Sequence, residues 1–191
     1  PIPPNAFFMN ELTERKTERL HLRRMLISDF PSLIKYINNP VIAENILNIP
    51  YPYSEEDAIA RLNLILKGLK EESRYVFAIV WPRTNELIGE IGLHIDTENN
   101  KAEMGYWVGG PFWGMGIATE AAKEILKFGF ENLRLNKIVA THFLNNPSSG
   151  RVLEKIGMVV EAELKDEYFH NETYHTVMRY RMTLNEYEAL N

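Results

Sequence analysis

The sequence predicts a single α/β domain built on a mixed central sheet, with helices on both faces. Three segments rich in apolar and β-branched residues, 75–81, 86–95 and 101–108, follow one another at hairpin spacing, which makes an antiparallel meander. Beyond residue 110 strands and helices alternate, a pattern that needs a crossing strand-helix-strand unit. The 191 residues are 45% hydrophobic and 25% charged, enough apolar material for one core and no second domain.

Taken in order, residues 1–10 carry three prolines and no periodicity. They read as a tail, native or left over from expression, with Met9 as a candidate natural start. The domain proper is expected over 17–188. Residues 17–25 alternate through Leu20 and Leu22 as a first strand. Ser28 and Asp29 cap a short helix through Leu33, Ile34 and Ile37, which Pro40 is expected to end. Residues 45–53 are irregular, with Tyr51 and Tyr53 beside Pro50 and Pro52. Ser54, followed three residues later by Asp57, opens the next helix as a capping box, and Ala58, Leu62, Ile65, Leu66 and Leu69 form its buried face.

After the meander, Ala118, Ala121, Ala122, Ile125, Leu126 and Gly129 recur at helical spacing. A strand over 137–143 and a helix over 146–156, stopped by Gly157, precede a final hairpin of strands at 159–169 and 173–184. In the strand 101–108 alternation sends Glu103, Gly105 and Trp107 to one face and Met104, Tyr106 and Val108 to the other.

Composition narrows the function. No apolar run approaches the roughly 20 residues of a membrane span, and no charged start leads into an apolar run, so a soluble cytoplasmic protein is expected. Cysteine is absent, which removes disulfides, thiolate metal sites and cysteine nucleophiles together. A formal charge of −5 argues against a nucleic-acid partner. His94, His142, His170 and His175 lack metal-ligand spacing, and no metal is expected.

The stretch that carries chemistry is Trp113-Gly114-Met115-Gly116-Ile117-Ala118-Thr119, a glycine turn opening directly into a helix. Such a turn aims free backbone N–H groups and the positive end of the helix dipole at one place, an arrangement suited to phosphate. It is not a P-loop, which needs Gly-Lys-Ser/Thr where this chain has Gly116-Ile117-Ala118. It is not a dinucleotide fingerprint, which needs a third glycine or alanine at Thr119. Alone, the cluster reads more readily as a plain turn.

A second stretch, Asn146-Pro147-Ser148-Ser149-Gly150-Arg151, completes the pattern. Together the two resemble the GCN5-related N-acetyltransferase (GNAT) superfamily, and within it the ribosomal-protein N-terminal acetyltransferase branch. The superfamily signature, Gln/Arg-x-x-Gly-x-Gly/Ala, places Trp113, Gly116 and Ala118 at its first, fourth and sixth positions. The aromatic first residue departs from the general rule but is common in that branch. The resemblance covers residues 19–184.

It implies an acyltransferase that uses acetyl-CoA as cofactor, bound where two parallel strands splay apart. The pyrophosphate would lie on Gly114, Met115, Gly116, Ile117, Ala118 and Thr119 behind Trp113, with the thioester against Trp107 and Val108. A backbone N–H near Val108 would stabilise the oxyanion. Asn146 would hold the pantetheine arm, Ser149 would protonate the departing thiolate, and Arg151 would reach the phosphates. Asn146 and Ser149 also read as ordinary helix caps. Glu103 is the candidate base, or else a solvated strand residue. Tyr51, Tyr53, Tyr168, His170 and Tyr174 are candidate acceptor contacts, although loop aromatics such as Tyr53 more often plug the core.

The acceptor is expected to be a primary amine, either a protein N-terminus or a small molecule such as a polyamine, amino acid or antibiotic. A CoA-binding module without catalysis is the remaining alternative. The apolar, aromatic final hairpin is a candidate surface for a homodimer.

Overall fold

A computed structural model describes residues 14–190; the predicted tail, residues 1–10, lies outside them. One sheet of eight strands organises the chain: β1 (Glu14–Lys16), β2 (His21–Arg23), β3 (Arg74–Trp81), β4 (Glu86–Asp96), β5 (Lys101–Val108), β6 (Lys137–Phe143), β7 (Val159–His170) and β8 (Thr173–Thr183). Their order is β1-β2-β3-β4-β5-β6-β8-β7. Every neighbouring pair is antiparallel except β5 with β6. The helices are α1 (Phe30–Ile37), α2 (Pro40–Asn45), α3 (Glu55–Lys70), α4 (Ile117–Lys127), α5 (Pro147–Lys155) and α6 (Leu184–Leu190). Among the described residues no helix is long and apolar enough to cross a membrane.

Three local features depart from expectation, each for a physical reason. The strand expected over 17–25 shortens to β2 and pairs with an unforeseen β1 before it, because Thr17 closes a tight turn on Leu20 (3.0 Å between N and O) that divides the two. Pro40 stands just past the end of α1 at Ile37, as expected, but it also begins α2. A proline is poor in a helix interior yet suits the first turn, where its missing N–H has no partner to lose, and Asn39 Oδ1 accepts the Val41 N–H at 2.9 Å. Finally, α6 follows β8 directly. Thr183 and Glu186 form a reciprocal cap, Glu186 accepting the Thr183 N–H at 2.8 Å and Thr183 Oγ1 accepting the Glu186 N–H at 3.3 Å.

The two faces of the sheet are covered differently. Tyr75 and Phe77 pack edge-on against Phe128, which sits just beyond α4, at 5.5 and 5.4 Å between ring centroids. Burying one such ring stabilises the fold by roughly 1.5–3 kcal/mol. On the other face Glu90 and Trp107 are cross-strand partners, and Arg61 of α3 reaches them. The capping box at Ser54 and Asp57 forms as its sequence implies and fixes the start of α3.

Candidate active site

The site opens where β5 and β6 part. Their parallel pairing runs only from Lys101 with Lys137 to Glu103 with Val139. Beyond that point β5 stays paired with β4 as far as Val108, and β6 stays paired with β8 as far as Phe143. Residues Met104 to Val108 therefore present one backbone edge to an open cleft of about 800 Å³. Unsatisfied backbone groups at such an edge cost free energy unless a guest or water pairs with them.

The glycine turn closes one end. Gly114 and Gly116 adopt φ of +76° and +77°, a left-handed geometry that costs other residues about 1 kcal/mol or more. Among the described residues no side chain caps the start of α4, so its first-turn N–H groups face the cleft uncapped. The one acid in that turn, Glu120, faces away: it accepts from Thr17 and from the Arg19 guanidinium at 2.7 Å. Burial disfavours its ionised form, but these bonds outweigh burial and hold the carboxyl below its ordinary value. Arg19 also donates to the Met115 carbonyl at 2.9 Å, tying the turn to the first hairpin. Trp113 folds back to donate its indole N–H to the Val108 carbonyl at 2.6 Å. The aromatic at the first signature position thus seals the end of β5.

On the opposite lip, Asn146 caps α5 by accepting from the Ser149 N–H and from the Ser148 hydroxyl, the latter at 2.7 Å. Ser149 Oγ lies 2.8 Å from the Tyr106 hydroxyl, which crosses the gap from β5. Burial pushes the Tyr106 phenol up to about 12, with the Ser149 bond opposing. Arg151 and, one turn later, Lys155 line the same wall and supply positive charge.

Across the splay Glu103 faces His94 in the β4–β5 register and accepts from the Thr141 hydroxyl at 3.1 Å. Burial, together with Arg74 and Arg61, pushes His94 down to about 4, so its imidazole is neutral near pH 7. Burial and Glu103 raise Tyr168. Val41, Ile42, Ile46 and Leu47, from α2 and the segment after it, form an apolar wall facing these groups.

The predicted residues divide accordingly. Glu103, Trp107, Val108, Trp113, Gly114 and Gly116 line the cleft, as do Ile117, Ala118 and Thr119. Asn146, Ser149, Arg151 and Tyr168 complete its walls. Met115 offers its side chain to solvent and its carbonyl to Arg19. Tyr53 is 5% exposed and hydrogen-bonded to Asn38, a core plug away from the cleft. Tyr51 is exposed at the surface, and Tyr174 is an exposed ring packed on Phe169 at the hairpin tip. His170 binds the Ala43 carbonyl at 2.9 Å and so joins the hairpin to α2.

Tyr106, Thr141 and Lys155 were not singled out from sequence, and His94 was weighed only as a metal ligand. Only Lys155 had a local signal, its spacing of four from Arg151 on a helix. Among the described residues no group of three His, Asp or Glu side chains could hold a metal ion.

The residues from 19 to 159 match the family model described as an acetyltransferase (GNAT) domain. The chain belongs to the GNAT acetyltransferase family. This GNAT domain is 34% identical to an uncharacterized N-acetyltransferase, p20, of Bacillus licheniformis, over 78% of this chain and 84% of the relative. It is 28% identical to the ribosomal-protein-serine acetyltransferase of Escherichia coli K12, over 88% and 94%. Spermidine N(1)-acetyltransferase of the same organism is 30% identical, over 51% and 52%. A GNAT-family acetyltransferase from Bacillus anthracis shares the fold with a TM-score of 0.80 at 26% identity, over 91% of this chain and 99% of that one. The protein is an acyltransferase, and the splayed sheet is the GNAT architecture.

Proposed function

We propose that this GNAT enzyme transfers acetyl from acetyl-CoA directly to the α-amine of a protein N-terminus. The observation that carries the choice of acceptor is the cleft's charge: Glu103 is the only carboxylate among the described residues that line it. A polyamine bears several ammonium groups and calls for several acids, whereas a single N-terminal amine calls for one. The apolar wall of Val41, Ile42, Ile46 and Leu47 suits a neutral chain end with small side chains. The relative that acts on ribosomal protein also spans far more of this chain than the spermidine enzyme does.

In this reading the pyrophosphate takes the N–H groups behind Gly116, Arg151 and Lys155 add positive charge, and the pantetheine arm follows the open edge of β5. Glu103 takes the proton from the attacking amine, directly or through water, and a backbone N–H near Val108 stabilises the oxyanion. Ser149 gives a proton to the leaving sulfur. No acyl-enzyme forms.

The test is thiol release from acetyl-CoA with peptides beginning in Ala, Ser or Met, free amino acids, spermidine and an aminoglycoside. Turnover is expected on the peptides; turnover on spermidine alone would reassign the acceptor. Calorimetry with CoA separates silence of a wrong panel from failure to bind.

A further inference from the structure

The hydroxyls of Tyr106 and Ser149 meet across the splay, and their geometry allows two proton arrangements. Tyr106 Oη lies 2.8 Å from Ser149 Oγ and 3.3 Å from the Ser149 main-chain oxygen. Each hydroxyl has one proton to donate. In the first arrangement Ser149 donates to Tyr106, and Tyr106 donates to the Ser149 carbonyl. In the second Tyr106 donates to Ser149 Oγ, and the Ser149 proton is free to point into the cleft. Only the second lets Ser149 act as an acid.

We propose that Tyr106 is a positioning residue for acyl transfer: its hydroxyl turns from the Ser149 carbonyl to Ser149 Oγ, which directs the Ser149 proton to the departing CoA sulfur. This rests on the reading of Ser149 as the proton donor. Both side chains line the cleft, and Tyr106 stands on the stretch of β5 that has lost its β6 partner, so its hydroxyl reaches α5 across the gap the cofactor would enter. Burial keeps the phenol protonated at neutral pH, so it remains a donor throughout.

The step balances. The C–S bond of the tetrahedral intermediate breaks and its electron pair goes to sulfur. Sulfur takes the Ser149 proton while the Tyr106 phenol, the stronger acid of the two hydroxyls, shifts its own proton toward the Ser149 oxygen, so that no free alkoxide forms. The hydroxyl pair regains one proton from solvent, matching the one the amine lost through Glu103. A hydrogen bond to a charged oxygen is stronger than one to a neutral hydroxyl, so the Tyr106 contribution grows as the proton leaves. That is stabilisation of the transition state rather than of bound acetyl-CoA.

The experiment compares wild type, Tyr106→Phe, Ser149→Ala and the double variant in thiol release. The substrate is the acceptor the wild-type enzyme turns over fastest, with hydrolysis of acetyl-CoA as the reaction if none is turned over. Tyr106→Phe keeps the ring, and its melting temperature distinguishes a loosened fold from a lost donor. Expected is a kcat lowered about tenfold in Tyr106→Phe with KM for acetyl-CoA little changed, and no further loss when Phe is added to Ser149→Ala. Equal losses in both backgrounds, or a raised KM with unchanged kcat, would overturn the proposal and leave Tyr106 as a wall of the pantetheine channel. Unchanged kcat in Ser149→Ala would instead remove the serine from the chemistry, a failure of the underlying reading that the single variant alone reveals.

Discussion

Glu103 is defined by three neighbours: His94 opposite it, the Thr141 hydroxyl bonded to it, and the cleft in front. His94 is neutral near pH 7 and so no charged partner for Glu103, to which the proposed reaction gives the amine's proton. Glu103→Gln preserves shape and removes only basicity. We expect kcat/KM for the acceptor to fall about 100-fold at pH 7, with acetyl-CoA affinity unchanged. Steady-state kinetics beside calorimetry would show it, and an unimpaired variant would mean that water alone accepts the proton. Gly116 works through its backbone. An added Cβ meets Arg19 at 3.4 Å, but the φ of +77° is the larger obstacle. Gly116→Ala should cost the fold about 1 kcal/mol and, by tilting the first N–H groups of α4, weaken CoA binding about tenfold. Calorimetry and a melting curve separate the two effects.

At the scale of elements, α3 is pinned to the sheet by a buried charge. Glu90 is 2% exposed and accepts from both Arg61 and the Trp107 indole at 3.0 Å, while its other oxygen has no partner among the described residues. The charge of Glu90 raises the arginine above its ordinary value; burial opposes this and the hydrogen bond from Arg61 to Glu90 adds to it. Removing one member of such a pair strands the other, so Arg61→Ala should cost roughly 2–4 kcal/mol, less than a fully buried pair because Arg61 is partly exposed. Urea denaturation would measure it. Because Trp107 lines the cleft, looser acetyl-CoA binding should accompany the loss.

The pairing of Glu90 with Arg61 was not legible in a linear reading. The strands β3 to β6 and the turn into α4 announce themselves through alternation and glycine spacing, which are local. Glu90 looked like any strand residue, because what marks it is a partner 29 positions away on α3. Tyr106 and Ser149 are 43 positions apart and meet only because β5 and β6 separate. The glycine turn carried the family resemblance only together with the stretch from Asn146 to Arg151, whereas Tyr51, Tyr53 and Tyr174 could not be placed at all, since a loop aromatic carries no sign of which way it will face. Pro40 gave half of its role: it stands past the end of α1, as read, and also begins α2, which shows only once Asn39 is seen to cap it.

For the whole molecule, the central sheet confines a neutral imidazole among cations, and this couples folding to pH. His94 lies between Arg74 and Glu103 in the registers of β3–β4 and β4–β5. Burial, Arg74 and Arg61 lower it to about 4 in the folded state, against about 6.5 in an unfolded chain. Above pH 6.5 both states are neutral at this position and it contributes no pH dependence. As pH falls from 6.5 to 4 the unfolded chain takes up the proton and the folded one does not, so stability is lost across that window and levels off below it. Allowing for partial exposure, the loss is on the order of 1–2 kcal/mol. Paired carboxylates titrate at the lower end of the same window, so the informative quantity is a difference. Wild type and His94→Gln, unfolded in urea at pH 7.5, 6 and 4.5, should diverge, with wild type losing more stability on acidification than the variant. Parallel curves would mean that His94 protonates in the folded enzyme as readily as in the unfolded chain, and that the sheet opens toward solvent at the base of the cleft.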